Sequence, residues 1–321
     1  MTETADSDAI PFAHGQLARI PGVAIVFVLL ALFFAVMSPS FLTAGNLTNI
    51  LLQSSILLLL ALPMTLIIMT EGLDLSMGGV LTLASILLAQ VAVATGSLWL
   101  GLGAALALGL AFGILNGALI AHAGIPPFVT TLGTLGIAQG LCLIVTDGQS
   151  VVGLPRSVPE MYSGTLALIP IPILLGVATY LAMHVLLYHT RFGTYIPALG
   201  GNREALQHVG INDRRLLIAI YALGGLMAGL DALLLTARMN AGHPTAAIGM
   251  EFDAIAAAAV GGTQFERGNG WLFGTLIGVL AIGILRNGLN LLAVPSSAQV
   301  ACIGLLVILA LFVDVLRGEQ T

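Results

Sequence analysis

Apolar stretches of about 17 to 25 residues recur from one end of the chain to the other, separated by short polar or glycine- and proline-marked breaks. A helix rises about 1.5 Å per residue, so about 20 apolar residues cross the roughly 30 Å hydrocarbon core of a bilayer. The pattern predicts about ten spans, at 20–37, 47–69, 78–94, 98–121, 126–145, 166–188, 216–237, 252–262, 271–292 and 299–316. A tail over 1–19, a single transmembrane unit over 20–316 and a tail over 317–321 complete the expected organisation. A transmembrane β-barrel needs short segments of alternating polarity, and these are missing from the pattern. The expected fold class is therefore an all-α, polytopic membrane protein.

Two regions interrupt the apolar rhythm. One is "TEGLDLSMGG" at 70–79, the other "AGHPTAAIGMEFDAIAAAAVGG" at 241–262. Carboxylates beside glycine at membrane depth indicate interrupted helices, which persist only where protein or water covers the irregular backbone. Glu71, Asp74, Ser76 and Asp253 are the expected structural residues of these breaks, with Asp74 capping the first. The eighth span is too short to cross unaided and suits a half-helix lining a cavity. A weak echo links Glu71 and Asp74 to Glu251 and Asp253, without a convincing repeat.

Composition narrows the picture. Charged residues make up 8% of the chain and apolar residues 58%, with a mean hydropathy of +1.05. The longest polar segment is far below the usual size of a folded domain, so no soluble catalytic domain is expected. Every basic residue is arginine; there is no lysine. A P-loop needs its lysine on the β- and γ-phosphates, which excludes a standard P-loop ATPase from this chain. The six histidines show no metal-ligand spacing, and Cys142 and Cys302 lie inside apolar runs as small hydrophobes. Neither a metal nor nucleic acid is expected as a partner. The acidic start "MTETADSDAI" lacks the basic n-region of a cleaved signal peptide, so the first apolar run is expected to remain as a span.

Arginine placement orients the spans. With ten of them, Arg19, Arg191, Arg203, Arg214, Arg215, Arg267 and Arg317 share the side of the termini, while Arg156, Arg238 and Arg286 do not. The positive-inside rule then puts both termini in the cytoplasm. It also puts the polar stretch "GGNREALQHVGINDRR", 200–215, there. Asn202 suits an N-cap, Glu204 the first turn, His208 the last and Gly210 a left-handed end. Ala205, Leu206 and Val209 form a small apolar patch. So short a helix is marginal alone in water and needs a surface, either a partner protein or the membrane itself.

Four blocks resemble a known family. "EGLDLSMGGVLTLASI" is similar to the G-G-I-D-L-S-V-G block of permease subunits of bacterial ABC importers for ribose, xylose, arabinose and galactose. "PPFVTTLGTLGIAQGLCLIVTDGQSV" resembles their PPF-x-x-TLG block, and "GGNREALQHVGIN" their G-x-N-x-x-A-x-x-x-G-I segment. "GMEFDAIAAAAVGGTQFERGNGWLFGTLIGVLAIGILRNGLNLL" resembles their E-x-D-A-I-A-A-x-x-x-G-G-T segment and the glycine-rich span that follows. The resemblance runs over about 40–316, in order. It implies an ATP-driven importer of a monosaccharide or related polyol in the bacterial inner membrane. It also implies a homodimer, a separate cytoplasmic ATPase that carries ATP and Mg, and a periplasmic binding protein that delivers the sugar. Asn202, Arg203, Glu204, Ala205, Leu206, His208, Val209 and Gly210 would form the coupling helix seated on the ATPase.

Hydroxyl and amide side chains within spans are the candidates for touching a sugar: Asn49, Gln53, Ser54, Asn116, Thr130, Thr131, Thr134, Gln139, Asn287 and Asn290. Each residue type serves equally well to bond a neighbouring helix. Glycines at four-residue spacing, Gly109, Gly113 and Gly117, Gly136 and Gly140, Gly274 and Gly278, are expected to let backbones approach. Asp231 and Arg286 depart from the family pattern. Each lies roughly 22 Å into its span. Intramembrane charges are usually paired or functional, so an Asp231–Arg286 ion pair is expected. The alternative is that one or both face the cavity and bias it toward a polar or anionic substrate. The rival classes are an ion-coupled secondary transporter or channel, and a membrane enzyme. No H-E-x-x-H or G-x-S-x-G supports an enzyme, and "GLD" at 72–74 and 229–231 is too short to name an aspartyl dyad.

Overall fold

A computed structural model describes residues 20–264 and 268–318. The expected N-terminal tail with Arg19, the loop position Arg267 and the last residues of the C-terminal tail lie outside them. The elements, in chain order, are α1 (Ile20–Met37), α2 (Ala44–Met69), α3 (Met77–Thr95), α4 (Leu98–Ala123), α5 (Pro127–Thr146) and α6 (Ser157–Ser163). A two-stranded hairpin, β1 (Thr165–Leu166) and β2 (Ile169–Pro170), leads into α7 (Ile171–His189), α8 (Arg191–Gly201) and α9 (Arg203–His208). Then follow α10 (Asp213–Met239), α11 (Met250–Val260), α12 (Leu272–Leu291) and α13 (Ser296–Gly318). The chain is a mainly α-helical polytopic membrane protein. Among the described residues, seven helices, α2, α3, α4, α5, α7, α10 and α12, are long and apolar enough to cross a bilayer.

The centre is α2. It is buried without a break from Ser54 to Met69, and its apolar sequence runs round the whole helix instead of along one stripe. A helix apolar on every side belongs at the middle of a bundle. α7, α10, α11 and α12 pack around it. Lipid tails are as apolar as leucine, so small residues and interhelical hydrogen bonds hold these helices together. Thr65 of α2 bonds Thr275 of α12 at 2.7 Å, and Ser85 of α3 bonds Thr236 of α10 at 2.7 Å. α4 and α10 meet backbone to backbone: Gly109 and Gly113 lie against Gly225, and Gly229 against Ala105, with no room for a side chain on either helix. Gly274 and Gly278 are used in the same way against Gly261 and Ala257. Gly136 and Gly140 differ from this expectation, since no described residue packs against the place of a side chain at either.

Three local differences from the sequence reading have physical causes. The apolar run from 166 does not start a helix; "TLALIP" folds into the hairpin, with Ala167 and Leu168 at φ of 51° and 69°. α7 begins only where prolines occupy its cap and first turn, positions that need no amide donor. Residues 191–201, which fall outside the expected spans, form α8, because Thr190 accepts a capping hydrogen bond from the Gly193 amide. The eighth apolar segment is an 11-residue helix entered through the irregular stretch 241–249. At about 1.5 Å per residue it reaches roughly half-way through a bilayer.

Candidate functional site

The first polar centre surrounds the break between α2 and α3. Glu71 turns the chain with φ of 61°. Asp74 Oδ1 accepts from the Ser76 amide at 2.9 Å and from Ser76 Oγ at 2.5 Å, closing the turn that starts α3. Asn116 of α4 donates to Ser76 Oγ at 2.8 Å, and Thr134 of α5 donates to Asn116 Oδ1 at 2.8 Å. Thr131 donates to the Leu73 carbonyl at 3.2 Å. Asp74, Ser76, Asn116, Thr131 and Thr134 are all buried. Their hydrogen bonds are thus spent on holding the break against α4 and α5. Of the proposed pathway residues, Asn116 and Thr131, with Thr134, belong to this internal network. Thr130 lies beside it, buried, with no partner for its hydroxyl among the described residues.

The second centre is a cavity of about 410 Å³ between α2, α10, α11, α12 and the start of α13. Gln53 and Ser54, Arg238, Asp253, Arg286 and Asn290, and Gln299 line it, together with apolar side chains. Here the structure corrects the expected ion pair. Arg286 bonds Asp253 of α11, and not Asp231. The reason is register. Gly274 faces Gly261 and Gly278 faces Ala257, so α11 and α12 run antiparallel in close contact. That places the first turn of α11 within reach of Arg286. Asp231 makes no ion pair among the described residues. It is fully buried, and neither of its oxygens has a hydrogen-bond partner among the described residues. Asp253, read as a structural residue of the break, is therefore also part of the cavity wall.

The remaining candidates scatter. Asn287 exchanges reciprocal amide hydrogen bonds with Asn46, each 2.9 Å, clasping α12 to α2. Asn49 is exposed and Gln139 half-buried, away from both centres. Sequence reasoning missed Asn46, Gln299 and the cavity role of Arg238. An amide or arginine at the edge of an apolar run carries no periodic signal that would reveal which wall it faces.

The end of the bundle that carries α8 and α9 is the third centre. Asn202 Oδ1 accepts from the Ala205 amide at 2.8 Å, and Gly210 closes α9 with φ of 81°. Glu204 occupies the first turn and His208 the last. Leu206 is buried, while Ala205 and Val209 stay exposed, so the expected apolar patch is divided between the bundle and the surroundings. Arg203 pairs with Asp213 at 2.6 Å, tying α9 to the start of α10. α8 is seated on the bundle through Gly200, whose missing side chain lets it press on the Met69 carbonyl at the end of α2.

Comparison with known proteins places this architecture. A family described as branched-chain amino acid transport system / permease component matches residues 46–311. The ribose import permease protein RbsC of Escherichia coli (strain K12) is 38% identical over 319 residues, covering 98% of this chain and 99% of that protein. RbsC of Bacillus subtilis (strain 168) is 39% identical over 294 residues, covering 89% of each. The D-allose transport system permease protein AlsC of Escherichia coli (strain K12) is 35% identical over 311 residues, covering 96% and 95%. No solved structure matches the chain. A bundle of apolar helices broken at 70–76 and 241–249, matched over nearly its whole length to permease components, belongs to that permease family and is the non-catalytic membrane subunit of an ABC importer.

Proposed function

We propose that this subunit carries a monosaccharide or related polyol across the bacterial inner membrane, driven by ATP hydrolysis on a separate subunit. The observation that carries the reading is the full-length similarity to proteins named for ribose and allose import. The transporting unit is a homodimer that receives its sugar from a periplasmic binding protein. Each copy crosses the membrane about ten times: the seven long helices together with α1, α11 and α13, of which α11 crosses as a half-helix. Both termini and α9 face the cytoplasm, in keeping with the arginine distribution. α9 is the coupling helix that rests on the ATPase. Its cap, its buried Leu206 and the contact of α8 with the end of α2 support that role, because they give a push on α9 a rigid route to the broken helix.

The test is reconstitution of the permease with its ATPase and binding protein in liposomes. ATP-dependent accumulation of D-ribose, D-allose or L-arabinose is expected. Accumulation driven by an ion gradient, with the permease alone, would establish the secondary-transporter reading instead.

A further inference from the structure

Two polar atoms in the cavity wall stand out because the fold leaves them unused. Ser54 is 5% exposed, and its Oγ has no hydrogen-bond partner among the described residues. Arg286 gives one nitrogen to Asp253, yet its Nε, also buried, has no partner among the described residues. Gly283 faces Ser54, and even a methyl group there would strike the hydroxyl. The glycine thus lets α12 pack close to Ser54 where both line the cavity. Buried donors without partners are rare in folded proteins, since each loses its water without replacement. A cavity of about 410 Å³ is within the usual range for small-molecule sites.

We propose that this cavity binds the transported solute, that the solute is neutral and polyhydroxylated, and that Ser54 Oγ and Arg286 Nε contact it. The inference rests on the reading of the chain as a sugar permease. Its chemistry is independent of that reading. A hydroxyl group donates and accepts hydrogen bonds, and the wall offers both roles. Arg286 donates, Asp253 accepts, and Ser54, Gln53 and Asn290 do either. A carboxylate only accepts, and it would meet the Asp253 oxygens. A cation would meet Arg286 and Arg238, the latter without an ion-pair partner among the described residues. A neutral solute whose groups both donate and accept, as hydroxyls do, matches the polar part of the wall.

The experiment uses the purified permease–ATPase complex in nanodiscs, without binding protein. Asn290, exposed on the cavity wall, is changed to cysteine (N290C) in a C302A background, Cys142 being buried. The rate of modification by a small methanethiosulfonate is then measured with D-ribose, D-allose, L-arabinose or D-galacturonate present. At least one neutral sugar is expected to slow modification by about five-fold or more, and D-galacturonate to leave it unchanged. Adding Ser54→Ala, or Asp253→Asn together with Arg286→Gln, is expected to raise the protecting concentration about ten-fold, as the loss of one hydrogen bond to the solute does. The double change removes both charges at once, so no buried charge is left alone to unfold the helix pair. Protection by D-galacturonate in place of neutral sugars would overturn the solute class. No protection by a sugar that the complete importer accumulates, or protection insensitive to both changes, would overturn the site while leaving the transport function intact. Failure of the complete importer to accumulate any sugar would instead strike the functional reading beneath it.

Discussion

Asp231 is a carboxyl group sealed in a helix bundle, with neither oxygen hydrogen-bonded among the described residues. Burying a polar group without compensation costs about 1–3 kcal/mol by mutational measures. Asp231→Leu should therefore raise thermal stability in detergent by a similar amount and leave uptake unchanged. A lower melting temperature would show that the carboxyl has a use in the bundle. Asp74 is the opposite case, since its oxygen accepts twice from Ser76 and that serine in turn accepts from Asn116. Asp74→Ala leaves a buried amide and hydroxyl short of partners, and should cost about 1–3 kcal/mol in the same assay. The two aspartates look alike in sequence, each in a "GLD" triplet. Neighbours brought in by folding separate them: Ser76 and Asn116 surround one, and no donor among the described residues reaches the other. Asp74 was legible as a cap because Ser76 is two residues away. The partner of Arg286 was not, because depth along a helix is one coordinate and rotation about its axis another, and spacing supplies only the first.

At the scale of elements, α8 and α9 act as one arm. α9 holds its cap through Asn202 and its end through Gly210, while α8 stands on Met69 through Gly200. A proline fixes φ near −65°, so Gly210→Pro forbids the observed left-handed end. Glu204→Arg reverses the charge at the start of α9. Both variants should insert in the membrane normally, yet lower uptake by roughly ten-fold or more while ATP hydrolysis continues, as expected when coupling between two sites is cut. Normal uptake in both would remove α9 from the coupling route. Gly200→Leu tests the other end of the arm. It drives a side chain into the α2 backbone and should cost about 1–3 kcal/mol as an overpacked contact. A melting temperature equal to that of the unaltered protein would mean that α8 does not bear on α2. α9 was readable from its caps, whereas α8 was hidden because its opening Thr190 adjoins the end of an apolar run and its first residues look like linker.

The whole molecule leaves one helix face without cover. Gly133, Gly136 and Gly140 of α5 meet no neighbour among the described residues, and Leu132, Ile137 and Ile144 beside them are exposed. In the proposed homodimer a second copy accounts for part of this surface, and the complex with its ATPase should contain two permease chains of 33.0 kDa each when weighed by light scattering in detergent. A single copy per complex would contradict that stoichiometry. The sequence by itself determined the membrane class, the positions of the seven long helices to within about five residues, the two breaks and the capped helix. Each rests on information local in the chain: apolar length, a glycine beside a carboxylate, an asparagine before a helix. The tertiary structure decided which polar residues meet. It joined Arg286 to Asp253, drew Asn116, Thr131 and Thr134 into the support of Asp74, and gathered Gln53, Ser54 and Asn290 round one cavity. Those outcomes depend on how each helix is rotated against its neighbours, and that rotation is fixed by close backbone contacts such as Gly274 on Gly261. In a bilayer such contacts set the packing, since apolar surface alone does not distinguish one helix face from another.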